Sequence, residues 1–346
     1  MKPTVVILLD YQNKFTSKWA AKPYKSGMDV SVLKKQFKDN GFNVDIKNLA
    51  SIDLQNEDVE NKYYLYPSSE DVFLQYKSFI EDVIYGLELK NAVILPSFKL
   101  LRAHHNKVFM EILRSISGIP EINTMKAELF GTYEEFLAKK EMVEYPCVIK
   151  DAEGASSLGV QKANNENEAI QIIKKISRSR NWRFELWDYG RKFKHDGYKP
   201  ESKHRRKFII QKMLPNLDKD WKILIFGDKY YILERSAKKN DFRASGSGKI
   251  AYPESIPEGI LDFAETVFDF FDVPFFAMDI GKSNGNFVLI EFQGVYFGTH
   301  TLDTSPYYFV KNGNDWERIN GESIVEIEYA RSVIDFINKK QDLVGS

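Results

Sequence analysis

The sequence predicts a mixed α/β and α+β protein of more than one lobe, and three observations carry that expectation. Up to about Pro96, short apolar runs alternate with helical stretches, the order of a small α/β lobe. Downstream, apolar runs joined by polar or Gly/Asn-rich connectors read as paired strands, with amphipathic helices between them. A chain of 346 residues with 43% hydrophobic and 14% aromatic content can also bury more than one core.

Taken in order, Thr4–Leu9 is a compact strand candidate ending at Asp10, and Asp29–Asn40 reads as a helix closed by Gly41. Phe42–Ile46 begins a second strand. Tyr76–Leu87 sets Phe79, Val83 and Leu87 at fourfold spacing, and Ala92–Leu95 is a short strand, so a first lobe is expected over 1–96. It carries no glycine fingerprint for a dinucleotide. Lys107–Ser117 places Phe109, Ile112, Leu113 and Ile116 on one helical face, and Gly118-Ile119-Pro120 ends it. Thr132 and Glu135 form a capping box for Tyr133–Lys140, and Asn165 with Glu168 a looser one before Ala169–Ile176. Tyr145–Lys150 and Gly159–Ala163 are strands joined by Asp151–Leu158, whose small and polar residues suit a mobile loop with exposed amides. Arg178–Lys207 holds eleven Lys/Arg against four Asp/Glu with poor periodicity and is read as a loop or insertion closing a second module, 97–206. The third module, 207–340, opens with strands at Lys207–Leu214, Trp221–Phe226 and Lys229–Arg235. It continues with an amphipathic helix over Pro257–Phe271 and a hairpin, and closes with a helix over Gly321–Lys340.

Composition excludes several function classes. Lysine plus arginine equals aspartate plus glutamate, 49 each, so global charge predicts no polyanionic partner and nucleic acid is not expected. Trp182, Trp187 and Tyr189 in the basic segment make too small a platform for single-stranded bases. One cysteine, Cys147, rules out an intramolecular disulfide and cysteine-based zinc sites, and its apolar strand marks it as a small buried hydrophobe. His104 and His105 are adjacent, and on a helix they diverge by about 100°, so they are read as non-ligands. No run approaches about 18 apolar residues and the N-terminal run is too short for a signal peptide, which predicts a cytoplasmic protein without a membrane span. A homodimer is compatible with the sequence, which does not decide the oligomeric state.

Chemistry concentrates in the hairpin, Phe275–Ile280 and Phe287–Phe292 around the turn Gly281–Asn286. Each apolar run carries a carboxylate, Asp279 and Glu291, and Gln293 shares the face of Glu291 because strand side chains alternate. Buried carboxylates need a positive partner, and hard oxygen donors suit Mg²⁺, which takes its other ligands from phosphates. An ordinary hairpin with a charge on each strand is the plain alternative. Upstream, Lys107 opens a helix, Lys150 ends a strand before the Gly/Ser loop, and Gln211–Leu214 ends another strand. Singly these are solvated lysines; in this order they are the parts of a nucleotide site without the GxxxxGK[ST] of a P-loop.

These residues sit within the fragments HNKVFMEIL with GIPEINT, YPCVIKDAEGASSLGV, FIIQKML, KDWKILIFGDKYYILERSAKKNDFRASGSGK, and MDIG with LIEFQ. In that order, over roughly Leu95–Phe297, they resemble the ATP-grasp superfamily, most closely its RimK-like and D-alanine–D-alanine ligase-like members. The resemblance implies two α+β subdomains clasping ATP after a small α/β pre-ATP-grasp lobe. It implies that Lys107 and Lys150 hold the phosphates, under a loop that includes Glu153, Gly154, Ser156, Ser157 and Gly159. Gln211, Lys212, Met213 and Leu214 would form the adenine hinge, and Asp218 would reach the ribose. Arg243 and Lys249 would stabilise charge on the transferred phosphoryl group, and Asp279, Glu291 and Gln293 would hold two Mg²⁺ ions. The family's usual ending is Glu-x-Asn, where this chain has Glu291-Phe292-Gln293. The implied activity is ATP-dependent ligation of a small carboxylate to an amine, amino acid or peptide-like, through an acyl phosphate. A nucleotide-binding regulator with little turnover and a small-molecule kinase are the alternatives. If it lies beside the active-site mouth, the basic segment would attract an anionic acceptor; a solvated loop whose charges face water is the plain alternative.

Overall fold

Thr4–Leu9 forms β1, buried from Val5 onward, because its β-branched and leucine side chains face cover on both sides of a parallel sheet. The computed structural model describes the chain except residues 1, 17, 19–25, 155–158, 180, 216, 218, 237–248, 296 and 346 and the side chains of 344 and 345. The chain continues through α1 (Val30–Asp39), β2 (Asn43–Asn48), β3 (Lys62–Leu65), α2 (Gln75–Leu89), β4 (Val93–Leu95) and α3 (Phe98–Ala103). Next come α4 (Lys107–Ser115), β5 (Ala127–Phe130), α5 (Tyr133–Lys139), β6 (Cys147–Asp151), β7 (Val160–Ala163), α6 (Glu166–Ile176), α7 (Trp182–Lys194) and β8 (Phe208–Lys212). The last stretch holds β9 (Lys219–Phe226), β10 (Lys229–Ser236), β11 (Ile250–Ala251), α8 (Ile260–Phe271), β12 (Phe275–Ser283), β13 (Asn286–Gln293), α9 (His300–Asp303), β14 (Tyr307–Asn312), β15 (Asp315–Asn320) and α10 (Val325–Gly345).

Two compact units result. The first comprises Met1–His104, Ile119–Ile122 and Asn216–Ser346, the second His105–Gly118 and Asn123–Pro215. In the first, a parallel sheet ordered β2-β1-β3-β4 and a larger sheet ordered β13-β12-β9-β10-β14-β15, with β11 beside β10, share one core. Val5, Ile7 and Leu65 from the small sheet pack with Leu224, Phe226, Tyr231 and Phe275 from the large one, and α10 contributes Tyr329, Val333 and Ile337. The opposite face of the large sheet is covered by α8, whose Phe271 lies 4.7 Å from Phe276 and 4.6 Å from Phe292 between ring centroids. In the second unit the sheet ordered β5-β8-β6-β7 packs Cys147, Ile149, Phe208 and Ile210 against Phe136 of α5 and Ala169 and Ile173 of α6. The three sheets draw their strands from residues 4–95, 127–212 and 219–320, and a division of the sequence into modules 1–96, 97–206 and 207–340 is retained as a proposal.

Most local signals act as read. The Thr132–Glu135 capping box is formed on both sides, and Asn165 accepts from the Glu168 amide. Cys147 is buried, and burial pushes its thiol up to about 11. Three readings need correction. Arg178–Lys207 is not all loop: α7 spans thirteen of its residues, capped by Asn181, whose side chain accepts from the Phe184 amide. Trp182, Leu186, Tyr189 and Phe193 recur at helical spacing, but Phe184 and Trp187 fall outside that stripe and blur the period. The hairpin turn is two residues, Asn284 (φ 51°) and Gly285 (φ 85°), a type I′ pair, so the ladder extends through Ser283 and Asn286. On α4, Ile112 and Ile116 are exposed, and the buried residues are Lys107, Met110, Glu111, Leu113 and Arg114. Strands β3, β5, β14 and β15 carry no strong apolar alternation and were not anticipated.

Candidate nucleotide and metal site

In the second unit, Cys147 and Ile149 of β6 and Phe208 and Ile210 of β8 face the core, so alternation turns Val148, Lys150, Ile209 and Gln211 to the other face. Lys150 and Gln211 are both buried there. Helix α4 is tied to this face, since Gln211 Nε2 donates to Glu111 Oε1 at 2.9 Å and Glu111 Oε2 lies 3.1 Å from Arg114 Nε. Lys107, Glu111 and Arg114 recur at helical spacing, so the buried side of α4 is a charged stripe. At its start, the Lys107 amide donates to the Ala152 carbonyl at 2.9 Å, and Lys107 Nζ donates to the Gly154 carbonyl at 2.8 Å. The ammonium group is thereby fixed against the loop that follows β6.

That loop leaves β6 at Asp151 and returns at Gly159, whose carbonyl accepts from the Asp151 amide at 3.0 Å. A Cβ at Gly159 would lie 2.9 Å from Asp151 Cβ, and Gly154 has φ 117°, so both positions require glycine. Glu153 is half-buried, its amide donating to Asp151 Oδ1, and Ser156 and Ser157 lie outside the described residues. Arg206 holds Asp151 at 2.9 Å and Lys207 donates to Asn106 Oδ1 at 2.9 Å, while Arg205 pairs with Glu201. Much of the basic charge at the end of the segment is therefore engaged inside the unit. Among the residues expected to form an adenine hinge, Lys212 is exposed and pairs with Glu144, Met213 and Leu214 are half-buried, and the Met213 amide donates to the Pro146 carbonyl at 3.3 Å.

In the first unit, Asp279 is paired directly with Glu291 across the hairpin and with Lys222 across β9, and Gln293 pairs with Ala277. Asp279, Glu291 and Gln293 therefore project from one face, along with Asp220, Lys222 and Arg235. Further along the same face, Leu224, Ala277, Phe226 and Phe275 enter the core, so the sheet is apolar at one end and charged at the other. Arg235 sits between two carboxylates: Nε lies 2.6 Å from Asp220 Oδ1 and a terminal nitrogen lies 2.8 Å from Asp279 Oδ2. Lys222 Nζ is 3.8 Å from Asp279 Oδ1. Burial pushes the Asp220 carboxyl up to about 6 against the pull of Arg235.

Arg235 and Lys222 thus give Asp279 positive partners from the protein itself, which the sequence reading assigned to a cation alone. The donor set still fits Mg²⁺: two carboxylates opposite one another and an amide oxygen two residues along, all oxygen donors. Asp220, Lys222 and Arg235 were missed, although Asp220 and Lys222 interrupt an apolar strand at alternate positions. Lys249 is exposed ahead of β11, and its carbonyl accepts from the Ser236 amide at 3.1 Å. Asp218 and Arg243 lie outside the described residues.

No family model matches the chain, and no curated protein matches it by sequence. Solved structures match it in fold. A RimK domain ATP-grasp protein from Sphaerobacter thermophilus aligns with a TM-score of 0.52 at 13% identity, covering 96% of this chain and 98% of that one. D-cycloserine synthetase DcsG aligns at 0.53 and 12% identity, covering 96% and 99%. The ADP complex of PurK, an N5-carboxyaminoimidazole ribonucleotide synthetase, aligns at 0.54 and 12% identity, covering 97% and 78%. With nearly the whole chain superposed on such structures, the protein has the ATP-grasp fold.

Proposed function

We propose that the chain is an ATP-dependent carboxylate–amine ligase. The observation that carries this reading is the charged end of the large sheet, where Asp279, Glu291 and Gln293 share one face within an ATP-grasp fold. Two of the matched structures are named as synthetases, and one of these is an ADP complex, which supports ATP as the nucleotide here. In the proposed reaction a carboxylate oxygen of the substrate attacks the γ-phosphorus of ATP and ADP leaves, giving an acyl phosphate. The amine nitrogen then attacks the acyl carbon, phosphate leaves, and the nitrogen gives up a proton. The substrates are a small acid and an amine of the amino acid or peptide class.

Lys107 and Lys150 neutralise phosphate oxygens, and the two required glycines let the intervening loop's backbone approach them. Lys107 reaches this role from a fixed start, held on the Gly154 carbonyl. Gln211–Leu214 meets the base, Asp218 the ribose, and Arg243 and Lys249 the charge on the transferring group. Asp279, Glu291 and Gln293 would hold Mg²⁺, which when bound offsets charge on the phosphates. Arg235 keeps Asp279 from swinging away and is a positioning residue. Gln293 keeps the amide oxygen of the usual asparagine one methylene further from the backbone. Among the described residues no helix is long and apolar enough to cross a membrane, and we assign the reaction to the cytoplasm.

The test is release of ADP and inorganic phosphate with Mg²⁺ and ATP across pools of amino acids, short peptides and hydroxy acids. Release of both with one acid–amine pair supports the ligase. ADP with a phosphorylated acceptor and no free phosphate makes it a kinase, and tight ATP binding without turnover makes it a regulator.

A further inference from the structure

Helix α7 presents its large apolar side chains to solvent. Trp182, Leu186, Tyr189 and Phe193 are 67%, 64%, 62% and 72% exposed. Their spacing of four, three and four residues puts them on a single stripe, within about 60° around the helix. The only residue of the helix that is fully covered is polar, Asp188, which accepts from the Tyr198 hydroxyl. Glu185 is held by Arg178 at 2.7 Å, and Arg191 stacks between the rings of Trp187 and Tyr198 at 4.3 and 4.9 Å. The helix is therefore anchored by its polar side with its apolar side turned outward.

The rim of the stripe is basic. Arg183, Lys192 and Lys194 are exposed, and within the helix they and Arg191 outnumber Glu185 and Asp188, both of which are engaged at the anchored side. This charge decides what the stripe fits. A second copy of the chain would bring like charges together around the apolar contact. An anionic partner meets them. Aromatic and leucine side chains on one side, with lysine and arginine along the margin, is the composition of a helix that lies in the headgroup region of a bilayer. The stripe runs along about three turns of the helix, exposed throughout, and needs no matching groove in its partner.

We propose that α7 docks the protein on an anionic lipid surface, its stripe entering the headgroup boundary and Arg183, Lys192 and Lys194 meeting lipid phosphates and carboxylates. The cytoplasmic leaflet carries such a surface. The attachment is peripheral and reversible, and it does not depend on the ligase reading.

The experiment uses the full chain and floats it with vesicles of phosphatidylcholine mixed with phosphatidylserine, or of phosphatidylcholine alone. Binding is expected to the mixed vesicles, to weaken with salt, and to fall at least about tenfold in both of two variants. One is Leu186→Ser with Phe193→Ser; the other is Arg183→Gln with Lys192→Gln and Lys194→Gln. All five positions are exposed, and circular dichroism checks that each variant keeps its fold. Absence of binding, equal binding to both vesicles, or binding untouched by the serine variant overturns the proposal. So does a concentration-dependent dimer, or capture of an acidic peptide, that is lost in the serine variant while vesicles are ignored.

Discussion

Replacing Arg235 with glutamine removes the cation that Asp220 and Asp279 share while keeping a polar, shorter side chain. The three side chains are 11%, 5% and 13% exposed, so little water can take over the lost contact. Breaking a buried ion pair by removing one partner costs about 3–5 kcal/mol, because the remaining charges stay buried. Lys222, 3.8 Å from Asp279, offsets part of this, which places the expected loss near the lower end, at about 3 kcal/mol. The sign of the pH dependence follows from Asp220. Its carboxyl already stands at about 6, above its ordinary 3.8, so protonation favours the folded state. That contribution is fully present below the ordinary value and is lost as pH rises through the folded one. Without Arg235 the folded value rises further, so the variant's deficit is largest at about pH 8 and shrinks towards about pH 5. Urea unfolding of both proteins at these two pH values measures it. A deficit below about 1 kcal/mol, or one equal at both pH values, would show that Arg235 does not bridge the two carboxylates.

Four further outcomes are expected. Glu291→Gln lowers ADP formation by more than about tenfold and raises the Mg²⁺ needed for half-maximal rate; normal turnover at low Mg²⁺ would remove Glu291 from the metal set. Lys150→Ala weakens ATP by about 1.5–3 kcal/mol in calorimetry and leaves AMP nearly unchanged, whereas equal losses would make the lysine structural. Gly159→Ala forces its new Cβ, 2.9 Å from that of Asp151, to displace the strand end, lowering urea stability by about 1–3 kcal/mol; an unchanged midpoint would mean the loop yields freely. Cys147, buried and with its thiol at about 11, should react with a thiol reagent only as the protein unfolds, and labelling at the rate of a free thiol in the folded protein would contradict its burial.

Signals confined to neighbouring residues were legible in the sequence. The first strand, the capping box at Thr132, the helix over Ile260–Phe271 and the hairpin around Gly285 follow from spacing and turn chemistry, which act within a few residues. The shared face of Glu291 and Gln293 followed from strand alternation, and the order of the fragments pointed to the fold that nearly the whole chain superposes on. Only the tertiary structure decided which cations meet the carboxylates. Arg235 reaches Asp279 because β9 lies between β10 and β12, a pairing between segments more than forty residues apart that no local pattern encodes. The same holds for α4, whose isoleucines read as its core face, while the side it buries carries Lys107, Glu111 and Arg114 because Gln211 of a distant strand waits there. Helix α7 is the reverse case. Its apolar stripe is plain in the sequence once a helix is assumed, but that the stripe faces outward is set by the polar anchors Asp188 and Glu185, and burial is a property of neighbours that the chain acquires only on folding.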